Sequence, residues 1–343
     1  MAADTVGPGR GERATDFVLP LEPDGKQTRF YSRAGGVPVL LFFLGSDSHE
    51  PVKQLIDVLG RRGDLAAFGV HAGPEPIMEM TFPVFRDETC AVWKAYRLGE
   101  VKQNVVFVLD SNLRVLGSAR PADGDVAAKQ VQSLLEEAWG EEMEAVEIRV
   151  QAPVLLIPHV LEPEICEFLV QVWENGGNEE TGVEQSRGAA REESIDHLNK
   201  SRRDHVVTDE KLMKMLSTTV GRRVMPEVKR AFAYQATRFE GFKIACYDSA
   251  SSGFFHAHRD NLSPSTAHRR FALTLNLNEG YDGGHLRFPE FGPHLYRPEP
   301  GGAVVFSCSH LHEVTRVTGG RRFALLSFLF GEEGTRSGTG DAP

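Results

Sequence analysis

The hydrophobic pattern of the chain changes character near residue 145. Before that point, continuous apolar runs such as VPVLLFFLG (37–45) and NVVFVLD (104–110) alternate with segments in which apolar residues recur at helical spacing. Continuous apolar runs are typical of strands that are buried on both faces of a sheet. One helical segment follows the first run, and another covers 125–139, with Asp125 predicted as its N-cap. This pattern predicts an α/β domain over residues 1–144.

The second part begins with a strand, a turn and a helix that we expect to start near Pro163, followed by a helical region near 209–238. After that come short apolar runs separated by glycine, proline and aspartate, which predict many short strands. The intervening stretch 176–204 is polar and poor in apolar periodicity, so we expect a mobile loop, either a substrate lid or a solvated surface loop. We therefore predict an α+β domain with a barrel or jelly-roll core over 145–333, and a disordered tail over 334–343.

Composition narrows the functional classes. The 343 residues carry a formal charge of −10, which lacks the basic excess that binding to a phosphate backbone requires. No apolar stretch reaches the length of a membrane helix or of a signal-peptide core, so we expect a cytoplasmic protein without membrane contact. The four cysteines are widely scattered and lack zinc-like spacing, which favours reduced and mostly buried thiols.

The stretch GFFHAHRDN (253–261) contains candidate metal ligands. His258 and Asp260 lie two positions apart, and on an extended segment such residues share one face, so both can reach one ion while Arg259 points away. His256 lies on that same face, and a His256–His258 pair would be typical of a cupin metal site. The carboxylate favours 258 and 260, because two histidines and one carboxylate on one face of the ion suit an Fe(II) that also binds other ligands.

The third ligand must come from a distant strand. The candidates are His268, His285, His294, His310 and His312. We favour His312 because it is followed by a turn and then by Arg322 on the next predicted strand. A bidentate arginine suits the far carboxylate of a chelating oxoacid. Arg321 and Arg322 face opposite ways on a regular strand, and we expect Arg321 to be exposed.

These motifs together resemble the iron- and 2-oxoglutarate-dependent dioxygenases of the prolyl 4-hydroxylase type, across roughly residues 150–332. The resemblance is carried by KIACYDSASSGFFHAHRDN, GGHLRFP, GGAVVF and HEVTRVTGGRR. It implies a double-stranded β-helix core, Fe(II) bound by His258, Asp260 and His312, and 2-oxoglutarate anchored by Arg322. It places Tyr247 and Asn276 beside the cosubstrate.

The implied reaction uses O₂, releases succinate and CO₂, and hydroxylates an unactivated C–H bond of a prolyl residue or of an amino-acid-like substrate, with ascorbate as a further implied reductant. The sequence departs from the family at Arg316, where relatives often have proline, and at Asn276, where they often have tyrosine. The stretch from Tyr247 to Gly253 is also longer than the usual spacing.

The first domain resembles the peroxiredoxin and thioredoxin-like fold over about residues 10–120. A peroxidase of this type needs a thiolate at the start of the helix after the central strand, where this chain has Gly45-Ser46-Asp47-Ser48-His49. Cys90 is the one cysteine in this half, and we expect it to be structural. The domain then serves as a docking surface, a homodimer interface or a support for the second domain. A thiol peroxidase and a non-catalytic metal-binding scaffold are the alternative functions.

Overall fold

The computed structural model describes residues 7–60, 63–73, 77, 80–99, 103–140, 144–181, 183–187, 190–194 and 198–332. The described residues divide between two compact units, Met1–Ala145 and Val146–Pro343. In the described part of the chain, no helix combines the length and apolar character that crossing a membrane requires. The predicted tail over 334–343 lies outside the described residues.

The first unit is a twisted mixed sheet with helices. Its strands are β1 (Val18–Leu21), β2 (Lys26–Arg29), β3 (Val39–Leu44), β4 (Ala66–His71), β5 (Val84–Arg86), β6 (Val105–Leu109) and β7 (Val115–Ala119). Its helices are α1 (Glu50–Leu59), α2 (Ala91–Ala95) and α3 (Asp125–Trp139).

The sheet of this unit has the strand order β2-β1-β5-β4-β3-β6-β7, with β3, β4 and β5 parallel and the outer pairings antiparallel. Every residue of β3 is buried, because both faces of this central strand are covered by apolar clusters. The continuous apolar runs predicted this arrangement, and the α/β class of the unit is confirmed. Its assignment to a thioredoxin-like fold stays a prediction.

One detail of the first unit differs from expectation. Gly124, and not Asp125, is the N-cap of α3, and it has a φ of 57° that glycine adopts readily. Asp125 is the first residue of the helix, where its charge still interacts favourably with the helix dipole.

The second unit contains the remaining elements. Its helices are α4 (Pro163–Asn175), α5 (Glu210–Arg223) and α6 (Met225–Phe232). Its strands up to the predicted metal-binding stretch are β8 (Leu155–Ile157), β9 (Glu179–Glu180), β10 (Val183–Arg187), β11 (Ala190–Ser194), β12 (Lys200–Ser201), β13 (Arg203–Val206), β14 (Arg238–Phe239), β15 (Lys243–Asp248) and β16 (Phe254–His258). The later strands are β17 (Phe271–Asn276), β18 (Asp282–Gly283), β19 (Leu286–Arg287), β20 (Leu295–Tyr296), β21 (Ala303–Ser307), β22 (His312–Val314), β23 (Val317–Gly319) and β24 (Arg321–Phe330).

These strands form a β-rich core of facing sheets, consistent with the predicted jelly roll. The larger sheet has the order β8-β21-β17-β24-β15-β13-β9, with β14 paired to β24, and the smaller one has the order β12-β16-β22-β19-β20. An apolar cluster drawn from both sheets includes Ala245 and Ala272 of the larger sheet and Leu286 and Val314 of the smaller one. Helices α4, α5 and α6 pack on a second apolar cluster of the larger sheet.

Two predictions for this unit are wrong in part. The stretch 176–204 contains β9, the antiparallel pair β10–β11, and β12, and β13 begins within it. Strand pairing depends on backbone hydrogen bonds, so a polar ribbon can form without the apolar alternation used to predict strands. Residues 182, 188–189 and 195–197, which belong to the proposed lid, lie outside the described residues. The helical region predicted near 209–238 ends at Phe232, and it is interrupted at Val224, the N-cap of α6, which has Pro226 in its first turn.

Candidate metal centre

The sheet register brings the predicted histidine ligands together. Strands β16 and β22 are antiparallel neighbours, and His258 lies directly opposite His312. Directly opposed residues on neighbouring strands have side chains in contact range, and the imidazole centroids are 4.3 Å apart. The register shifts between Phe255 and His258. Such a β-bulge changes the direction in which side chains point.

Asp260 lies beyond the end of β16, and not on the extended strand that we predicted. Its backbone N–H donates to the carbonyl of Cys308 at 3.0 Å, which holds the turn against the segment leading to His312. One carboxylate oxygen is 3.5 Å from Nε2 of His258, and the other is 3.3 Å from Nε2 of His312. The ligand atoms of all three residues lie within 4.8 Å of one another.

Main-chain carbonyls orient both imidazoles. Nδ1 of His258 donates to the carbonyl of His256 at 2.8 Å, and Nδ1 of His312 donates to the carbonyl of His310 at 3.0 Å. Because a carbonyl only accepts, each Nδ1 carries the proton, and each Nε2 lone pair faces the common point. Metal-binding histidines are generally fixed in this way.

The electrostatics keep His312 and Asp260 in metal-binding form. Burial lowers the pKa of His312, so its imidazole stays neutral. Burial alone would raise the pKa of Asp260, but the neighbouring His312, His258 and Arg269 outweigh it and hold the pKa of Asp260 below its ordinary value. A neutral imidazole and an ionised carboxylate are the forms that bind metal ions.

The other histidines do not join this cluster. The carbonyl of His256 accepts the hydrogen bond from His258, while the His256 ring packs on Phe254. The carbonyl of His310 accepts the corresponding hydrogen bond from His312. His268 pairs with Glu240 at 2.9 Å. In the described part of the chain, His258, Asp260 and His312 form the one cluster with metal-ligand geometry.

The cluster lies in a cavity of about 570 Å³ between the sheets of the second unit. Its apolar wall includes Phe255, whose ring stacks on that of His258 at a centroid distance of 3.6 Å, together with Leu286 and Phe306. A volume of this size is within the usual range for small-molecule sites.

Arg322 lines the same cavity and is buried, with 4% of its surface exposed. Among the described residues, none forms an ion pair or a hydrogen bond with its guanidinium. A bound anion would therefore supply the negative charge that balances it. Gly284 leaves room for it: at a φ of +63°, a Cβ at this position would lie 2.9 Å from Cδ of Arg322. Arg321 is exposed and pairs with Glu174 at 2.8 Å, as the strand alternation predicts.

Tyr247 and Asn276 have different positions. Tyr247 lines the cavity on β15, opposite Arg322 on β24, with the guanidinium carbon 5.2 Å from the ring centroid. The extra residues after Tyr247 form a short 3₁₀ turn over Ser249–Ser251, which absorbs the longer spacing.

Asn276 is buried away from the cavity lining. Its amide donates to the carbonyls of Asn278 and Pro298 at 3.0 Å each and accepts from the Tyr281 hydroxyl at 2.9 Å. These hydrogen bonds hold the Asn276 amide within the protein scaffold, so it does not face the cavity in which the cosubstrate would bind.

Several charged residues in or next to the cavity wall were missed from the sequence. Lys200, Arg202 and Asp204 belong to the stretch predicted to be a loop, yet all three are largely buried. The available signal was their spacing of two, which places them on one face of an extended segment. Arg269, which pairs with Glu240 at 2.7 and 2.9 Å, was also missed because its partner is distant in sequence.

Comparison with known proteins supports this local geometry. Residues 242–330 match the model of the 2OG-Fe(II) oxygenase superfamily. The chain is 31% identical over 93 residues to a PKHD-type hydroxylase of Synechococcus sp. (strain JA-2-3B'a(2-13)), and this alignment covers 25% of the chain. The chain thus spans 41% of the length of this curated relative.

Solved structures with a similar arrangement include a prolyl-4-hydroxylase of Pseudomonas putida, with 20% identity, a TM-score of 0.39, and coverage of 52% of this chain and 92% of that one. Another is a prolyl hydroxylase of Trichoplax adhaerens in complex with a hypoxia inducible factor peptide fragment, with 18% identity, a TM-score of 0.44, and coverage of 55% and 88%. Both TM-scores are below 0.5, so the assignment depends on the family match and on the local geometry. The C-terminal region of the chain contains a 2OG-Fe(II) oxygenase domain.

Proposed function

We propose that the second unit is an Fe(II)- and 2-oxoglutarate-dependent dioxygenase that hydroxylates an unactivated C–H bond, with O₂ as cosubstrate and succinate and CO₂ as coproducts. The observation that carries this proposal is the presence of the His258–Asp260–His312 cluster and the buried Arg322 in one cavity. A single metal ion bound by one carboxylate and two imidazoles keeps coordination positions open for other ligands, which suits this chemistry.

The donor set fits the proposed ion. His258 and His312 would bind it through Nε2, and Asp260 through a carboxylate oxygen. When bound, Fe(II) chelated by 2-oxoglutarate supplies the activation of O₂ that the protein side chains lack. Arg322 would hold the far carboxylate of 2-oxoglutarate, because its planar guanidinium can bind a carboxylate in a bidentate manner.

The surrounding residues orient these groups and limit water. The carbonyls of His256 and His310 fix the imidazole rings, and the N–H of Asp260 bound to Cys308 fixes the turn. Glu290 accepts from Arg259 and from the N–H of Leu311, so it joins the segment after His258 to the segment before His312. The rings of Phe255 and Phe306 form an apolar part of the cavity wall beside the histidines.

The class of substrate is a separate part of the proposal. The complex of the Trichoplax adhaerens enzyme with a peptide makes a peptide substrate one option, and an amino-acid-like small molecule is the other. Ascorbate as a reductant and a protein partner or second copy bound through the first unit stay predictions.

The test is an anaerobic titration of the protein with Fe(II) and 2-oxoglutarate. A competent site should give a weak visible charge-transfer band, and admission of O₂ should then yield succinate. Products heavier by one oxygen atom should appear by mass spectrometry in peptide or metabolite pools with the parent protein, but not with the His312→Ala variant. Iron that binds without producing the band would instead favour a non-catalytic scaffold.

A further inference from the structure

A second group of buried charges lines the cavity beside the metal ligands. The group consists of Lys200 of β12, Arg202 and Asp204, which lie two positions apart along the segment that ends the polar stretch 176–204. Lys200 is 5% exposed and Asp204 is 2% exposed, and the Arg202 side chain is 9% exposed. Lysine, arginine and aspartate are rarely buried to this degree without a structural or binding role.

The contacts within this group hold both cations in place. Nη2 of Arg202 lies 2.6 Å from a carboxylate oxygen of Asp204, and the same oxygen accepts from the Thr181 hydroxyl at 2.6 Å. Nζ of Lys200 donates to that hydroxyl at 2.6 Å. Arg202 and Lys200 line the cavity, whereas Asp204 does not. Asp204 therefore pairs with Arg202 outside the cavity lining, while both cations lie in the cavity wall.

The position of this group relative to the metal ligands is fixed by two aromatic rings. Phe255, which stacks on His258, has Lys200 Nζ 5.4 Å and the Arg202 guanidinium carbon 5.8 Å from its ring centroid. Arg202 Nη1 also donates to the Tyr247 hydroxyl at 3.2 Å. Phe255 thus contacts His258 and both cations, and Tyr247 contacts both Arg202 and Arg322.

Among the described residues, the charges that line the cavity are mostly positive. The basic ones are Lys200, Arg202, Lys243, Arg259, Arg269 and Arg322, and the acidic ones are Glu240 and Asp260. Glu240 is paired with Arg269, and Asp260 is a proposed metal ligand. A concave basic surface with low-dielectric walls attracts anions strongly. Arg322 accounts for one anion, the proposed cosubstrate, which leaves Lys200 and Arg202 as a second pair of cations on the same wall.

We propose that Lys200 and Arg202 form a second anion subsite, and that the substrate of the dioxygenase carries a carboxylate that binds there. This inference rests on the proposed function, because it identifies the ligand through its position in the same cavity. A monoanionic carboxylate suits the subsite better than a phosphate dianion, because Lys200, Arg202 and Asp204 together carry a net charge of +1, and a dianion would leave an uncompensated negative charge in a largely buried site. The carboxylate belongs to a small acid or to the end of a peptide.

The test measures carboxylate binding after the cosubstrate site has been filled. Anaerobic protein saturated with Fe(II) and 2-oxoglutarate is titrated calorimetrically with the N-acetyl derivatives of proline, leucine and phenylalanine, and with a tetrapeptide that ends in proline. Each carboxylate is compared with its uncharged amide, and inorganic phosphate is a separate probe. At least one carboxylate should bind about 10-fold or more tightly than its amide, as expected for charge-assisted hydrogen bonds.

The matched variants are Lys200→Met in the subsite and Lys214→Met on the exposed surface of α5. Lys200→Met should weaken carboxylate binding by about 10-fold, and Lys214→Met should leave it within twofold of the parent, about the spread between repeat titrations. Methionine keeps the length and much of the volume of lysine, and Asp204 keeps its Arg202 partner. The parent titration provides a test that does not depend on either variant folding.

The outcomes separate the inference from the function on which it rests. Absence of the Fe(II)–2-oxoglutarate band in the parent protein would contradict the dioxygenase itself. With the band present, three results would overturn the subsite: carboxylates that bind no better than their amides, phosphate that binds more tightly than every carboxylate, or a Lys200→Met variant that weakens 2-oxoglutarate instead of the carboxylate. Preference for the N-acetyl amino acids or for the peptide supports the subsite in either case and identifies the source of the carboxylate.

Discussion

The buried polar groups of the two units differ in their partners. In the first unit, the Asp87 carboxylate accepts from the backbone N–H groups of Ala91, Val92 and Trp93, at 2.9–3.1 Å. Asn104 likewise binds the main chain of the loop before α1. In the second unit, Arg202 pairs with Asp204, and Lys200, Arg202 and Arg322 line the cavity. Buried groups that bind the main chain stabilise a fold, whereas ionisable groups that converge on a cavity indicate chemistry.

Histidine pairs show the same contrast. His49 and His71 of the first unit have ring centroids 6.5 Å apart, and ring nitrogens of both contact main-chain carbonyls. In the described part of that unit, no carboxylate joins them in a cluster with metal-ligand geometry. His258 and His312 are closer, and Asp260 contacts both. The carboxylate that contacts both rings therefore distinguishes a metal centre from two neighbouring imidazoles.

The largest effect is expected from His312→Ala, with His71→Ala as the control. Loss of a residue that only supports a metal ligand lowers metal affinity by up to about 100-fold. Loss of His312, which would bind the ion directly, should therefore lower Fe(II) affinity by more than about 100-fold, and succinate formation should stop. His71→Ala should change neither quantity. Calorimetric metal titration and a succinate assay check both. A comparable loss of iron affinity in His71→Ala would remove the contrast between the two pairs.

Local sequence patterns predicted much of the metal centre, but less of its surroundings. The two-residue spacing of His258 and Asp260, and a strand that begins with His312, follow from local periodicity. The direct opposition of His258 and His312 depends on sheet register between segments far apart in sequence, which no local pattern contains. The strands of the first unit were predictable because β3 and β6 are buried on both faces and read as continuous apolar runs.

The failures have a common physical origin. Residues 176–204 lack apolar alternation, because β10 and β11 pair as a polar ribbon and because Lys200, Arg202 and Asp204 are buried through charge pairing and not through apolarity. A hydrophobic pattern cannot report burial of this kind. The direction of the Asn276 side chain could not be predicted from the sequence. Tertiary hydrogen bonds to Asn278, Pro298 and Tyr281 determine that direction.

A second prediction concerns the stability supplied by Asp204. Asp204→Asn leaves Arg202 buried without its full counter-charge and should lower the free energy of unfolding of the second unit by about 3 kcal/mol at pH 7. Asp209→Asn is the control, since Asp209 is an N-cap residue and asparagine caps helices equally well. Denaturant unfolding of the full chain measures both. An equal loss in the two variants would show that the buried pair contributes nothing particular.

The same variant predicts a pH dependence. Burial alone would raise the pKa of Asp204, but Arg202 and Lys200 outweigh it and hold the pKa below its ordinary value. A carboxyl group with a depressed pKa in the folded state stabilises the fold above its ordinary pKa of about 3.9, and this contribution is lost as the pH falls through the folded-state pKa. The difference between parent and Asp204→Asn should therefore be full at pH 7 and shrink below about pH 4. A difference that stays constant down to pH 3 would contradict the ionic role.

Arg322→Met should affect the cosubstrate and not the metal. Loss of a charge-assisted bidentate contact should raise the KM for 2-oxoglutarate by about 10- to 100-fold, while Fe(II) affinity stays near that of the parent. Arg321→Met provides a control one residue away, because Arg321 is exposed and pairs with Glu174 at the surface, where ion pairs contribute little. Equal loss of iron affinity in Arg322→Met and His312→Ala would contradict the separate roles of the two residues.

The smallest effect is expected from Cys90→Ser, which tests whether the first unit has thiol chemistry of its own. Burial raises the pKa of Cys166 to about 11 and that of Cys246 to about 12, and it raises the pKa of Cys308 further, so these three thiols stay protonated at neutral pH. A reactive thiolate would thus have to be Cys90, which precedes the short helix α2 and packs partly against the core of the first unit. We expect no peroxide consumption above the protein-free rate in either protein, and unchanged succinate formation. Robust peroxide turnover that Cys90→Ser removes would show that the first unit is catalytic, and it would end the contrast between a structural unit and a chemical one.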